Sequence, residues 1–180
     1  MSMILDGTAG VTFPASQTPS MTAYQGGVLT SGTAVASTSG TSITFSSLPS
    51  WVKRVTVMFN GVKTNGSSLL MVQLGSGSAT TTGYVGSFIS SAGTTSGQFS
   101  SGFIFSGNNS ASDVRNGTLI IANFSGNTWN EMGIVVNTAA AQLSSSAGVV
   151  TLSGTLDRVV ITTVNGTDTF TAGSINILYE

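Results

Sequence analysis

From residue 26 onward, apolar and polar side chains recur with a period of two rather than 3.6. Thr41-Ser42-Ile43-Thr44-Phe45 alternates, Arg54-Val55-Thr56-Val57-Met58-Phe59 is a longer run, and Ser68-Leu69-Leu70-Met71-Val72-Gln73-Leu74 follows. Between the last two lies Asn60-Gly61-Val62-Lys63-Thr64-Asn65-Gly66, whose two Asn-Gly pairs suit positive φ and predict a hairpin. Further strands are expected over residues 84–89, 102–105, 117–124, 131–137, 149–152, 158–164 and 174–179, with Gly126-Asn127, Gly148, Gly154 and Asn165-Gly166 between them. Glycine interrupts every candidate helix, and the alanine-rich piece 138–143 is short and runs into Ser144-Ser145-Ser146. About ten short strands at turn spacings of roughly 8–12 residues predict an all-β sandwich or barrel. The expected fold is a jelly-roll-like antiparallel β-sandwich over residues 26–180.

Residues 1–25 read differently. Met3-Ile4-Leu5 and Val11-Thr12-Phe13 are two short extended pieces around a turn at Asp6-Gly7, and Ala15-Ser16-Gln17-Thr18-Pro19-Ser20 is a linker without apolar anchors. A two-stranded piece of this size is marginal alone in water, so the arm is expected to dock on a partner. Ile4, Leu5, Val11 and Phe13 are its candidate attachment residues.

Composition narrows the chemistry. The 180 residues include five Lys+Arg, six Asp+Glu, no histidine and no cysteine. That inventory excludes His-based triads, thiol redox and Cys/His zinc sites, and no metal or other cofactor is expected. The acids Asp6, Asp113, Glu131, Asp157, Asp168 and Glu180 are scattered, and Asp113 and Asp157 each have an arginine nearby (Arg115, Arg158), a pattern of solvated pairs in turns. The chain therefore reads as a non-enzyme. A carbohydrate-active enzyme, the rival from another class, would need two carboxylates facing each other across a groove. Five dispersed bases leave no footprint for nucleic acid, and no apolar run approaches the ~20 residues that span a bilayer, so neither nucleic-acid binding nor membrane insertion is expected.

Strands flanked by Ser and Thr have few charges with which to protect sheet edges, and burying those edges in a homo-oligomer solves the problem at low desolvation cost. For recognition, Trp129 in Ser125-Gly126-Asn127-Thr128-Trp129-Asn130-Glu131 is the leading candidate: an indole beside Asn127, Asn130 and Glu131 could stack on a sugar, or pack on a neighbouring subunit. Tyr84 shares both possibilities. Asn108 lies in the turn-rich loop Gly107-Asn108-Asn109-Ser110-Ala111-Ser112-Asp113, a natural variable tip. Trp51 is expected to cover one end of the core.

Three stretches carry a resemblance. Ile4-Leu5-Asp6-Gly7-Thr8-Ala9-Gly10-Val11-Thr12-Phe13-Pro14 looks like short segments of phage tail-fibre and related virion proteins. Leu48-Pro49-Ser50-Trp51-Val52-Lys53-Arg54-Val55-Thr56-Val57-Met58-Phe59-Asn60-Gly61-Val62 and the segment Ala172-Gly173-Ser174-Ile175-Asn176-Ile177-Leu178-Tyr179-Glu180 are similar to the C-terminal regions of tailed-bacteriophage fibre proteins. The resemblance implies a bacteriophage virion structural protein, commonly a homotrimer, made in the bacterial cytoplasm and carried on the particle. The expected role is a short tail fibre or receptor-binding head recognising host-surface glycan, with other virion proteins as partners. A trimeric capsid decoration (cement) protein is the alternative.

Overall fold

A computed structural model of the chain describes residues 4–6, 10–12, 29–91 and 96–180. The described residues are all-β, without a helix. In chain order the strands are β1 (Ile4–Asp6), β2 (Gly10–Thr12), β3 (Thr30–Ser31), β4 (Val35–Ala36), β5 (Ser42–Ser46), β6 (Arg54–Thr64), β7 (Leu70–Ser76) and β8 (Ser78–Ala79). There follow β9 (Val85–Ser90), β10 (Ser96–Phe99), β11 (Phe103–Ile104), β12 (Arg115–Ser125), β13 (Thr128–Asn137), β14 (Gln142–Thr151), β15 (Arg158–Thr163) and β16 (Phe170–Tyr179).

Two antiparallel sheets make a sandwich-like body. The nine-stranded sheet runs β10-β9-β14-β13-β12-β6-β16-β3 with β4 also on β16, and the five-stranded sheet runs β11-β7-β15-β5 with β8 on β7. Period-two patterning explains the layers: Val55, Val57 and Phe59 of β6 and Ile43 and Phe45 of β5 are buried while their neighbours face out. Between the layers, Phe103 of β11 meets Phe99 of β10 edge-on at 6.0 Å and Tyr84 edge-on at 4.9 Å. Trp51 covers one end of the core as expected, its ring 5.9 Å from that of Tyr179.

The hairpin expected across residues 60–66 does not form. β6 pairs with β12 and β16, whereas β7 pairs with β15, β11 and β8, so residues 65–69 carry the chain from one layer to the other. Asn60-Gly61 instead makes a β-bulge: Phe59 and Val62 both point inward, and the ladder to β12 shifts between Gly117 and Arg115. Gly61 has φ +66°, and Gly173 opposite it on β16 has φ +92°. A Cβ on Gly173 would meet the Gly61 carbonyl carbon and oxygen at 2.4 Å, so this bulged pairing admits only glycine there.

The short strands β3, β4 and β8 escape the expected spans and several others exceed them, β14 and β10 being the instructive cases. β14 begins at Gln142 and takes in Ser144-Ser145-Ser146, while the alanine run before it is a turn held by Asn137, whose Oδ1 accepts from the Val114 and Ala139 amides at 3.0 and 3.2 Å. β10 was not expected. It is fixed by rings lying over glycines: a Cβ on Gly97 would strike Phe88 at 2.7 Å, and one on Gly86 would strike Phe99 at 2.3 Å. In the small sheet β7 is covered on both faces, because residues 101–102 lie over Met71 and Gln73, and Gln73 Nε2 donates to the Ser101 carbonyl at 2.8 Å.

Candidate functional site

Strand alternation scatters the residues expected to gather around Trp129. On β13, Trp129 and Glu131 turn inward, 3% and 4% exposed, while Asn130 between them faces out. The indole is therefore neither a sugar platform nor a contact for a neighbouring subunit; it packs in the chain's own core, and its Nε1–H has no hydrogen-bond partner. Asn127, in the β12–β13 turn, lines a cavity of about 80 Å³ with Trp129, Lys53 and Asn123. Tyr84 is also buried: its hydroxyl accepts the Leu74 amide at 2.7 Å, and burial pushes the phenol up to about 12 against that bond. Asn108 is tied into the loop after β11, its Nδ2 donating to Gln142 Oε1 at 3.1 Å and its carbonyl accepting from Arg115. These residues form no common surface.

What the inner face of the large sheet does carry is a set of buried polar groups. Ser146 Oγ donates to Glu131 Oε1 at 2.8 Å, while Glu131 Oε2 has no partner. Gly133 leaves the space for this carboxyl, since a Cβ there would meet Glu131 Oε1 at 2.8 Å. Burial raises the Glu131 pKa to about 7, against the lowering effect of the Ser146 bond. At the other end of the sheet Arg115 is wholly buried and bonded to Asp113 Oδ2 at 2.6 Å; burial lowers its pKa and Asp113 opposes that. The pair expected to be solvated is thus internal. The reason is position: Arg115 sits at an inward site of β12, opposite Val62 and Asn137. Asp113 also accepts the Ser110 amide and hydroxyl at 3.0 and 3.1 Å, which commits both its oxygens to the loop. Asp157 and Arg158 form the expected partly exposed pair at 2.8 Å, and the arginine holds the carboxylate below its usual range. Among the described residues no three Asp or Glu cluster to hold a metal.

The outer face of the same sheet is the chain's most distinctive surface. β9, β14, β13 and β12 turn Val85, Ile89, Leu143, Met132, Ile134 and Ile120 outward, from 39% exposed at Ile120 to 68% at Val85. Their register makes them neighbours: Ile120 lies opposite Met132, and Ile134 opposite Ser145, which lies opposite Ile89. The only charged residues of β9, β10, β12, β13 and β14 are Arg115 and Glu131, both inside. Gly117, Thr118, Ile120, Met132, Gly133 and Ile134 line a shallow depression of about 290 Å³. Composition masks this face, because its apolar residues are interleaved with Ser and Thr such as Thr118, Ser87 and Ser145. The signal was there, in the alternation of Met132 and Ile134 with buried residues.

In the arm, β1 and β2 pair antiparallel with Ile4 opposite Thr12 and Leu5 opposite Val11, matching the expected pair of extended pieces. Among the described residues they pair only with each other. Phe13, the fourth attachment candidate, lies outside the described residues. No family model, curated protein or solved structure matches this chain.

Proposed function

We propose that the chain is a structural protein of a tailed-bacteriophage virion, working as a homotrimer attached through its N-terminal arm. The observation that carries the reading is the pairing of two features in one chain: a two-stranded unit bonded only to itself among the described residues, and a β body with a large, uncharged apolar sheet face. The resemblance of residues 4–14, 48–62 and 172–180 to fibre proteins supports it, as does a two-sheet body compatible with a jelly-roll-like sandwich. A short tail fibre or receptor-binding head is the role this suits, with glycan met by uncharged loops such as residues 107–112 rather than by Trp129 or Tyr84.

One observation favours capsid decoration as the second reading. Burial of both aromatic candidates removes the expected sugar platform while leaving the arm and the sheet face untouched. The enzyme reading has least support, because Glu131, the one carboxyl among the described residues with a strongly raised pKa, is buried in the core rather than set in a groove. Imaging of virions carrying the labelled protein tests the proposal, together with a form lacking residues 1–20. Label on tails supports the fibre, label across the shell supports decoration, and the truncated form should stay folded yet be missing from particles. Label on neither, or normal incorporation of the truncated form, refutes the proposed attachment.

A further inference from the structure

We infer that the outer face of β9, β14, β13 and β12 is where copies of this chain meet, three faces closing around a common axis. This rests on the oligomeric reading above and names its surface. Six large apolar side chains left 39–68% exposed on one sheet face are more than the singly scattered surface hydrophobics of a monomer. The occupant follows from charge: the face carries no Asp, Glu, Lys or Arg, so it can lie against an identical face without like charges being opposed and without any charge being desolvated. A partner of opposite charge would find nothing to pair with.

Size agrees. Four strands at ~4.8 Å spacing and ten residues at ~3.4 Å give a flat footprint of roughly 650 Å², before side-chain relief is counted. That approaches the ~800 Å² each partner contributes to a stable interface. Width speaks to copy number. Sheets pack about 10 Å apart, so each face would stand roughly 5 Å from a threefold axis, and a triangle with that inner radius has sides of roughly 17 Å, close to the width of four strands. Met132 and Ile134 on β13 and Leu143 on β14 then lie on the two inner strands of each side, flanked by Ile120 on β12 and Ile89 on β9, with polar Asn116, Asn130 and Gln98 toward the margins, as apolar centres and polar rims are arranged in stable interfaces.

The test is sedimentation equilibrium of the full chain beside circular dichroism, for the unaltered protein, Ile134→Lys, Leu143→Lys and, as a control, Val164→Lys, which replaces an exposed apolar residue outside this face. The inference expects a trimer for the unaltered chain and the control, and folded monomers for the two face variants at the same concentration. Leu143→Lys gives the answer if Ile134→Lys fails to fold. A trimer that persists in both folded face variants overturns the inference and leaves the virion proposal standing, since particle imaging decides that separately. An unaltered chain that is dimeric overturns the threefold arrangement. One that is monomeric, with this face covered by the chain's own arm or by another virion protein, overturns the inference outright.

Discussion

At the residue scale, the most consequential side chain is Glu131. Its carboxyl is buried, holds one hydrogen bond from Ser146, and has one oxygen unpaired, so the fold prefers it protonated up to a pH of about 7. In the unfolded chain it ionises near the ordinary glutamate value. Between roughly pH 4.5 and 7 the unfolded state has therefore lost the proton that the folded state keeps, and stability falls as pH rises through that window before levelling off. The shift corresponds to about 3 kcal/mol. Urea unfolding at pH 5 and pH 8 should show this loss, and Glu131→Gln, which keeps the shape and removes the titration, should abolish most of it. An equal pH dependence in the variant would mean that another group is responsible. Arg115 meets the same problem with a partner: Asp113 opposes the lowering that burial imposes on the guanidinium, and the Asn108 carbonyl accepts a bond from it.

At the scale of elements, the bulged pairing of β6 with β16 depends on a single atom's absence. Gly173→Ala would set a methyl 2.4 Å from the Gly61 backbone at a φ that alanine avoids, so a loss of several kcal/mol or outright misfolding is expected. Gly126→Ala is the comparison: φ is also positive, but nothing lies within 4 Å, and a cost of about 1 kcal/mol is expected. Thermal midpoints of the two variants check the contrast; equal losses would show that backbone conformation alone matters. The same bulge marks the limit of what is legible in the sequence. Alternation in residues 42–46 and 54–59, with apolar residues at every second place, and the continuous β-branched run 159–163 reveal buried strands. Asn60-Gly61 misleads because positive φ serves a bulge as well as a turn. Ser144-Ser145-Ser146 hides a strand since serine is the same letter facing in or out, and only its neighbours Glu131 and Gly133 give Ser146 a reason to be inside. Trp129 beside a polar turn looked like a ligand platform because a run of letters does not say which face of the strand is the core.

At the scale of the whole molecule, the order in which strands are made differs from the order in which they lie. β16 is the last of the strands along the chain, yet it sits inside the large sheet, with β6 on one side and β3 and β4 on the other. Phe170 through Tyr179 must find partners roughly a hundred residues earlier, a topology that folds slowly. During synthesis β6 therefore waits with one edge unpaired, and Ile175 and Ile177 are missing from the core, until residues 170–179 have left the ribosome. Chains stalled after residue 165 should be digested readily by protease, while chains extended until residue 179 has cleared the exit tunnel should resist. Resistance at the shorter length would show that the sheet closes without β16. A chain made only as far as β15 is in this sense an open sheet, with β3 and β4 still lacking the strand they pair with.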